Sequence, residues 1–419
     1  MEFPMMTKIK QKLPTQHVAD VPAAVRAELR RADLATRVKP GSQVAITVGS
    51  RGIADITTVV STLIQELQAI GAQPFIVPAM GSHGGATAEG QIQILEEYGF
   101  TEASMGVPIK ASMETVQLGT AKNGAPVHMD KNAYGADATI VVARVKNHTS
   151  FRAPIESGLC KMMAIGLGKQ KGAHFVHNAG LAETVTQAAE VFLAKANIAL
   201  GLALVENAFH QLYAVEAVTP ESFLTRDEEL LVLANSLLPR VPFNQADVLI
   251  IDWMGKNISG TGIDFNIAGM WRRIEAPMEP FYEAIVVLDL TPESGGNAIG
   301  VGTADFAPMR LINKIDRQKT YMNLLTAAHG RKSLQHGKFP IALATDRECI
   351  EAALEACALT RPARVCRITS TLHLDEMWIS QALEDEARAI QTVEFTGQRI
   401  LLASMFDDRG NIKNLTPPH

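Results

Sequence analysis

Between Gln43 and Gly99 the chain alternates two hydrophobic periods, and no other feature restricts its fold as much. QVAITVG is a short apolar run rich in β-branched residues, the pattern of a buried strand. In the following ADITTVVSTLIQELQAIG, residues Ile56, Val59, Val60, Leu63, Ile64, Leu67 and Ile70 recur at helical spacing. Asp55 stands where it can cap the start of that helix and Gly71 where it can cap the end. PFIVPA reads as a second strand, and ATAEGQIQILEEYG as a second helix. Strand, helix, strand, helix with short connections implies parallel strands covered by helices. Right-handed crossovers then put the loops after the strands at one edge of the sheet, where such folds bind ligands.

Those loops are VGSRGIAD, which carries Arg51, and MGSHGGAT, which carries His83. A third strand, ADATIVVARV over 136–145, runs into the stretch NHTSFR with His148. Three strand ends are thus expected to converge on Arg51, His83 and His148. AGLAETVTQAAEVFLAKA reads as a helix, NIALGLALVENAF as a buried strand, and Thr219-Pro220 opens a helix to about Leu238. PRVPFNQ breaks the pattern and ADVLIIDW restarts it, which sets a domain boundary near residue 241. The expected class is α/β: two α/β domains with mainly parallel sheets and an active site in the cleft between them. The N-terminal domain spans 1–240 and the C-terminal domain 241–419, with the last strand as the one able to return to the first domain. The second half mixes the strands AIVVLDL, FPIALAT and RVCRITS with helices such as DRECIEAALEACAL.

Composition narrows the partners. The net charge of -5 comes from well-mixed acids and bases, unlike the clustered Lys and Arg of a nucleic-acid surface. No apolar run approaches the length that crosses a bilayer, and MEFPMMTKIKQKLPTQ has no segment of signal-peptide length, so the cytoplasm is expected. Cys160, Cys349, Cys357 and Cys366 form no C-x-x-C pair, and Cys349 and Cys357 share one face of an expected helix, a packing pattern.

Chemistry concentrates in residues 147–180, NHTSFRAPIESGLCKMMAIGLGKQKGAHFVHNAG. GLGKQKG is not a Walker loop, since Gln170 follows Lys169 and Met163 occupies the position of the first glycine. Nor is GSHGG a dinucleotide fingerprint, although glycine loops opening onto helices expose N–H groups that suit a single phosphate or carboxylate. Among the histidines, His17, His128, His210, His329, His336, His373 and His419 read as structural or exposed. His83 and His148 differ because each follows a strand at the ligand-binding edge, and imidazoles there can move protons near neutral pH. His174 and His177 are three apart and can share a helix face to bind a metal, or simply decorate that surface. Lys161, set among Leu159, Met162, Met163 and Ile165, is costly to bury; it either snorkels or serves as a covalent attachment point. In the second half, DWMGKNISGTGIDFN after a strand offers Lys256, Asn257 and Ser259 in a glycine-rich polar loop.

Taken in order, Arg51, GSHGG around His83, NHTSFR at His148, Lys161 in GLCK and His177 resemble the nickel-dependent lactate racemase family. That resemblance implies a 2-hydroxyacid racemase or epimerase, an isomerase acting by proton-coupled hydride transfer at the hydroxyl-bearing carbon. It implies a nickel-pincer nucleotide (nickel pyridinium-3,5-bisthiocarboxylic acid mononucleotide) tethered to Lys161, with His177 as the nickel ligand and His174 as the rival for that role. His83 and His148 become the acid/base pair, Arg51 a cofactor or substrate contact, and Lys256 and Asn257 contributors from the second domain. The partners implied are a small 2-hydroxy acid and the enzymes that make and load the cofactor, with no nucleic acid and no membrane. Gly49 and Ser50 stand where lactate-active members carry an acid, which points away from lactate as the substrate. Two other readings remain: a metal-free nicotinamide-dependent hydroxy-acid oxidoreductase, and a non-catalytic protein binding a small ligand or metal.

Overall fold

The structure is a computed structural model that describes residues 2–149, 151–327 and 334–418. The chain divides into two compact units, Pro14–Leu238 and a second formed by Met1–Leu13 with Pro239–His419. The N-terminal strand, β1 (Met5–Gln11), belongs to the second of these, so the first strand rather than the last is the one that changes unit.

In the unit Pro14–Leu238, the alternation starting at Gln43 produces β2 (Gln43–Val48) and β3 (Gln73–Pro78) around the helix Ile56–Ala69. A hairpin, β4 (Thr115–Thr120) with β5 (Pro126–Asp130), precedes β6 (Ala138–Arg144), β7 (Ile198–Glu206) and β8 (Leu212–Val218). The sheet order is β3-β2-β6-β7-β8. β3, β2, β6 and β7 run parallel, and β8 closes the edge antiparallel to β7. Both faces are covered, which is why these strands read as unbroken apolar runs. Val44 and Ile46 pack with Val59, Leu63 and Leu67 on one face, while Ala45 packs with Phe75, Leu159 and Phe192 on the other.

One expectation about the first helix fails in detail. Asp55 adopts a left-handed backbone (φ 52°) and its carboxylate caps nothing. The preceding amide, Ala54 N–H, is held instead by Glu206 Oε1 at 2.6 Å, so a strand two positions away in the sheet fixes this loop. Gly71 behaves as expected, with φ 80° and its N–H donating to Gln68 O at 2.9 Å.

Among the described residues the second unit holds an eight-stranded sheet. It contains β9 (Gln245–Met254), β10 (Phe281–Leu290), β11 (Phe306–Pro308), β12 (Ile341–Leu343), β13 (Val365–Ile368), β14 (Glu376–Ser380) and β15 (Val393–Leu401), with β1 inserted. The order is β12-β11-β10-β9-β13-β14-β1-β15; the first five are parallel and the last three antiparallel to their neighbours. The helix Asp346–Ala356 matches the DRECIEAALEACAL pattern and buries Cys349, whereas Cys357 falls just past its end and is only half-buried. All four cysteines are free thiols. Among the described residues no helix is long and apolar enough to cross a membrane.

Candidate active site

The segment carrying Lys161 is placed by the sheet below it and a carboxylate behind it. Gly201 in β7 has no side chain where Leu159 and Phe223 press down; a Cβ there would lie 2.7 Å from each. Asp227, buried on the helix Phe223–Leu237, accepts from the amides of Leu159 (3.0 Å) and Cys160 (2.8 Å). Gly158 admits that carboxylate, since a Cβ would stand 2.3 Å from its oxygen. Beyond Lys161 the chain forms a π-helical run, Met162–Leu167, a geometry that occurs mostly at functional sites. Met162 packs beneath Gly49 in the loop after β2, and Gly166 O accepts from Gly81 N–H (3.2 Å) in the loop after β3. One short segment thus supports both loops that the sequence singled out.

The side chains around it are predominantly cationic. Lys161 is half-buried and donates one hydrogen bond, to Ser157 Oγ at 3.3 Å. Desolvation, reinforced by the charges of Lys146 and Arg51 and opposed by Glu156, brings its amine down to about 7. Loss of hydration also lowers Arg51, with Tyr98 opposing and Arg144 adding to the shift. Glu156 is buried and its carboxyl is raised by desolvation, although the His148 amide (2.6 Å) and Arg152 (3.4 Å) bind it. That contact fixes the backbone of His148, whose ring packs on Phe151 with centroids 4.4 Å apart. On the neighbouring strand end, His83 Nδ1 is hydrogen-bonded to Ser50 Oγ. His83 is thus joined to Ser50 across the ends of β3 and β2, while Lys161 lies within the electrostatic reach of Arg51 and of Glu156, the carboxylate that holds the His148 amide.

The loop after β2 is fastened by a buried pair. Glu206, at the end of β7, meets Arg144 at the end of β6 and also accepts from Ala54 N–H. Burial alone would raise its pKa, but the hydrogen bond to His210, the Arg144 charge and the Ala54 amide hold it at about 2. Beneath the His83 loop, Lys169 is fully buried with left-handed backbone (φ 53°). Its ammonium contacts Pro78 O, Gln91 Oε1 at 3.0 Å and Asp130 Oδ2 at 3.3 Å. Gln91 passes this on by donating to Gly81 O (3.0 Å) and His83 O (3.3 Å).

The two histidines proposed as metal ligands share the helix Lys169–Asn178. His174 Nε2 is bonded to Asn178 Nδ2 at 2.9 Å, and the ring lines a cavity of about 750 Å³ with Glu114, Lys131, Lys171 and Phe175. None of Arg51, His83, His148 or Lys161 lines that cavity. His177 is half-buried in the last turn of the same helix. Among the described residues no three His, Cys, Asp or Glu side chains are grouped to hold a metal ion. A metal bound by one histidine would therefore take its other donors from a cofactor. A lysine amine near neutrality, surrounded by Arg51 and Lys146, suits both covalent attachment and the anionic phosphate of a nucleotide.

In the other unit, the polar side chains of the loop after β9 find partners within that unit. Lys256 Nζ donates to Gly260 O (2.6 Å) and Asn323 Oδ1 (3.0 Å), and Asn257 Oδ1 accepts from Thr291 Oγ1 at 2.7 Å. The remaining histidines mostly follow their structural reading: His128 stacks on Phe175, His210 pairs with Glu206, and His373 Nδ1 meets Ser370 Oγ at 2.8 Å. His336 is buried, and His17 Nδ1 reaches Thr15 O at 3.1 Å. His329 and His419 lie outside the described residues. Sequence reasoning missed Glu156, Asp227, Glu206 and Lys146. Only Glu156 and Lys146 had a signal, their nearness in sequence to His148.

Comparisons with known proteins fit this arrangement. Residues 5–188 match the family model described as the lactate racemase N-terminal domain. The structure superposes on the lactate racemase apoprotein from Thermoanaerobacterium thermosaccharolyticum with a TM-score of 0.51 and 12% sequence identity, covering 88% of this chain and 99% of that one. A search of the curated proteins found no match. The α/β fold with mainly parallel strands is the one shared with that solved structure. Residues 5–188 are thus similar to the lactate racemase N-terminal domain, the family that the sequence motifs resemble.

Proposed function

We propose that this chain is a racemase or epimerase of a small 2-hydroxy acid, carrying a nickel-pincer nucleotide on Lys161. The supporting observation is Lys161 itself: an amine brought to about 7, with one hydroxyl partner and two cations close by. Near neutral pH a large fraction is unprotonated and able to form an amide-type bond. Arg51 and Lys146 offset the negative charge of the nucleotide phosphate or of the substrate carboxylate. When bound, the cofactor supplies the hydride acceptor, and His177 is the residue proposed to hold its nickel.

The chain's own residues do the proton work. Ser50 engages His83 at Nδ1 and orients the ring, and in this reading Nε2 exchanges a proton with the substrate hydroxyl. His148, fixed through Glu156 and Phe151, does the same from the opposite face. An acid/base group on each face is what inversion at a single carbon requires. Ser50, where lactate-active members have an acid, gives His83 a neutral partner and favours a substrate other than lactate. Lys256 and Asn257 act in this reading by shaping their own loop. The enzymes that make the cofactor are the partners required for loading.

Intact mass and nickel content, measured on protein from a host that makes the cofactor, test the proposal. A nucleotide-sized increment lost in Lys161→Ala supports it. His83→Ala and His148→Ala are expected to keep the increment and lose turnover. An unmodified, nickel-free but active protein would establish the oxidoreductase reading with a diffusible nicotinamide, and an inactive one the binding-protein reading.

A further inference from the structure

The second unit contains two adjacent arginines with opposite surroundings. Arg272 reaches Tyr282 O (2.8 Å), Thr303 O (3.4 Å) and Asp305 Oδ2 (3.4 Å), and stacks on Trp271. Arg273 is only 7% exposed, and its amide donates to Met270 O (2.9 Å), yet among the described residues its side chain donates no hydrogen bond and meets no carboxylate. Its Nε is sealed from solvent without a partner, and its guanidinium lies 5.3 Å from the centre of the Phe265 ring. Burial alone lowers it, to about 10, so it remains charged at neutral pH. On the same ring, at 4.6 Å between centroids, stands His336, which is 1% exposed and has an unpartnered Nε2.

His336 is held firmly. Its carbonyl accepts from Gly300 N–H (3.2 Å) and Gly302 N–H (3.3 Å), and its Nδ1 faces Thr303 Oγ1 at 3.4 Å. The tautomer in which the Thr303 hydroxyl donates to Nδ1 puts the imidazole proton on Nε2, and that tautomer is the one an acceptor beside Nε2 would select. A buried guanidinium and an imidazole nitrogen, both without a hydrogen-bond partner and gathered on one phenylalanine, form a set that an acceptor between them would satisfy. A charge buried without a partner is strongly destabilising, and folding gains nothing from it. The planar fork of a guanidinium fits two oxygens of a carboxylate or phosphate.

We propose that Arg273 and His336 form a binding site for an oxyanion, the carboxylate of a small organic acid or a phosphate. This rests on the second unit alone and not on the reading of Lys161. It is tested on the full chain produced without cofactor, by thermal shift and calorimetry with inorganic phosphate, with L-lactate as a simple carboxylate, and with chloride at matched ionic strength. Because Arg51 and Lys146 also attract anions, the readout is the difference between wild type and Arg273→Met. The wild type is expected to show a saturable upward Tm shift with phosphate or with lactate that is reduced or lost in Arg273→Met. In the absence of anion, Arg273→Met is expected to melt no lower than wild type, because it removes an unpaired charge. Arg273→Lys and His336→Phe, expected to weaken the shift, decide the matter if Arg273→Met does not fold. Equal shifts in wild type and every folded variant, or no shift beyond chloride, would overturn the site. A response to phosphate but not lactate assigns the phosphate source, and the reverse assigns the carboxylate.

Discussion

Lys161 and Lys169 lie eight residues apart on consecutive helical segments, and both are withdrawn from water. Lys169 is surrounded by acceptors: a backbone carbonyl, an amide oxygen and the buried carboxylate of Asp130. Lys161 has one serine hydroxyl and two nearby cations. Desolvation lowers both amines, but at Lys169 the Asp130 charge opposes it, whereas at Lys161 Lys146 and Arg51 reinforce it. The first arrangement holds a loop in place. The second keeps an amine reactive, and only a ligand or a bond compensates for it. The polar loops of the two units differ similarly: Lys256 and Asn257 are engaged by Gly260, Asn323 and Thr291 of their own unit, while Arg51 and Lys161 act on each other as like charges.

The largest test of this contrast is Lys161→Met, expected to abolish activity and cofactor attachment together while leaving the fold intact. A variant that kept full activity would put Lys161 on the same footing as Lys169. Next, Lys169→Met leaves Asp130 buried and unpaired, with an expected loss of about 3–5 kcal/mol in denaturant unfolding. Adding Asp130→Asn, which keeps the cap on Ala133 N–H but removes the charge, is expected to restore most of that loss.

Glu206 offers a smaller effect with a defined pH dependence. Its folded pKa of about 2 lies below the ordinary carboxylate value, so its contribution is present above about pH 4.5 and fades as pH falls through 2. Glu206→Gln is expected to cost about 3 kcal/mol at neutral pH and to flatten acid unfolding in that window. The smallest effect is the pH profile of Lys161. An amine lowered to about 7 destabilises the cofactor-free chain most at and below that pH. The penalty disappears as pH rises from 7 toward the ordinary lysine value, because there the unfolded chain binds the extra proton. The Tm advantage of Lys161→Met over wild type is therefore expected to shrink across this range; a constant advantage would mean that Lys161 is an ordinary surface lysine. Acylation of the wild-type amine should show the same inflection near 7.

Much of the first unit was legible because parallel strands buried on both faces write themselves as apolar runs. QVAITV, QPFIVP and ATIVVAR became strands where the period demanded, with their loops at one edge. The N-terminal strand was not legible, because MMTKIKQ pairs with β14 and β15, whose residues lie hundreds of positions away. Asp55 misled because a cap residue followed by a helical period is a local signal, and Glu206 overrides it through a contact across the sheet. Arg272 and Arg273 are indistinguishable in sequence and the Nε of each is buried without a partner; only packing gave the terminal nitrogens of Arg272 their acceptors and those of Arg273 none among the described residues.

The sequence by itself determined the alternating strands and helices from Gln43 to Gly99, their parallel order and the stretch in which the chemistry is concentrated. Those follow from periodicity and crossover handedness, which act over a few tens of residues. The tertiary structure decided which cations are neutralised and which are not, because charge is offset by whatever folding brings within a few ångströms. Asp130 reaches Lys169 and Asp305 reaches Arg272, while among the described residues Lys161, with Glu156 acting only at a distance, and Arg273 make no ion pair.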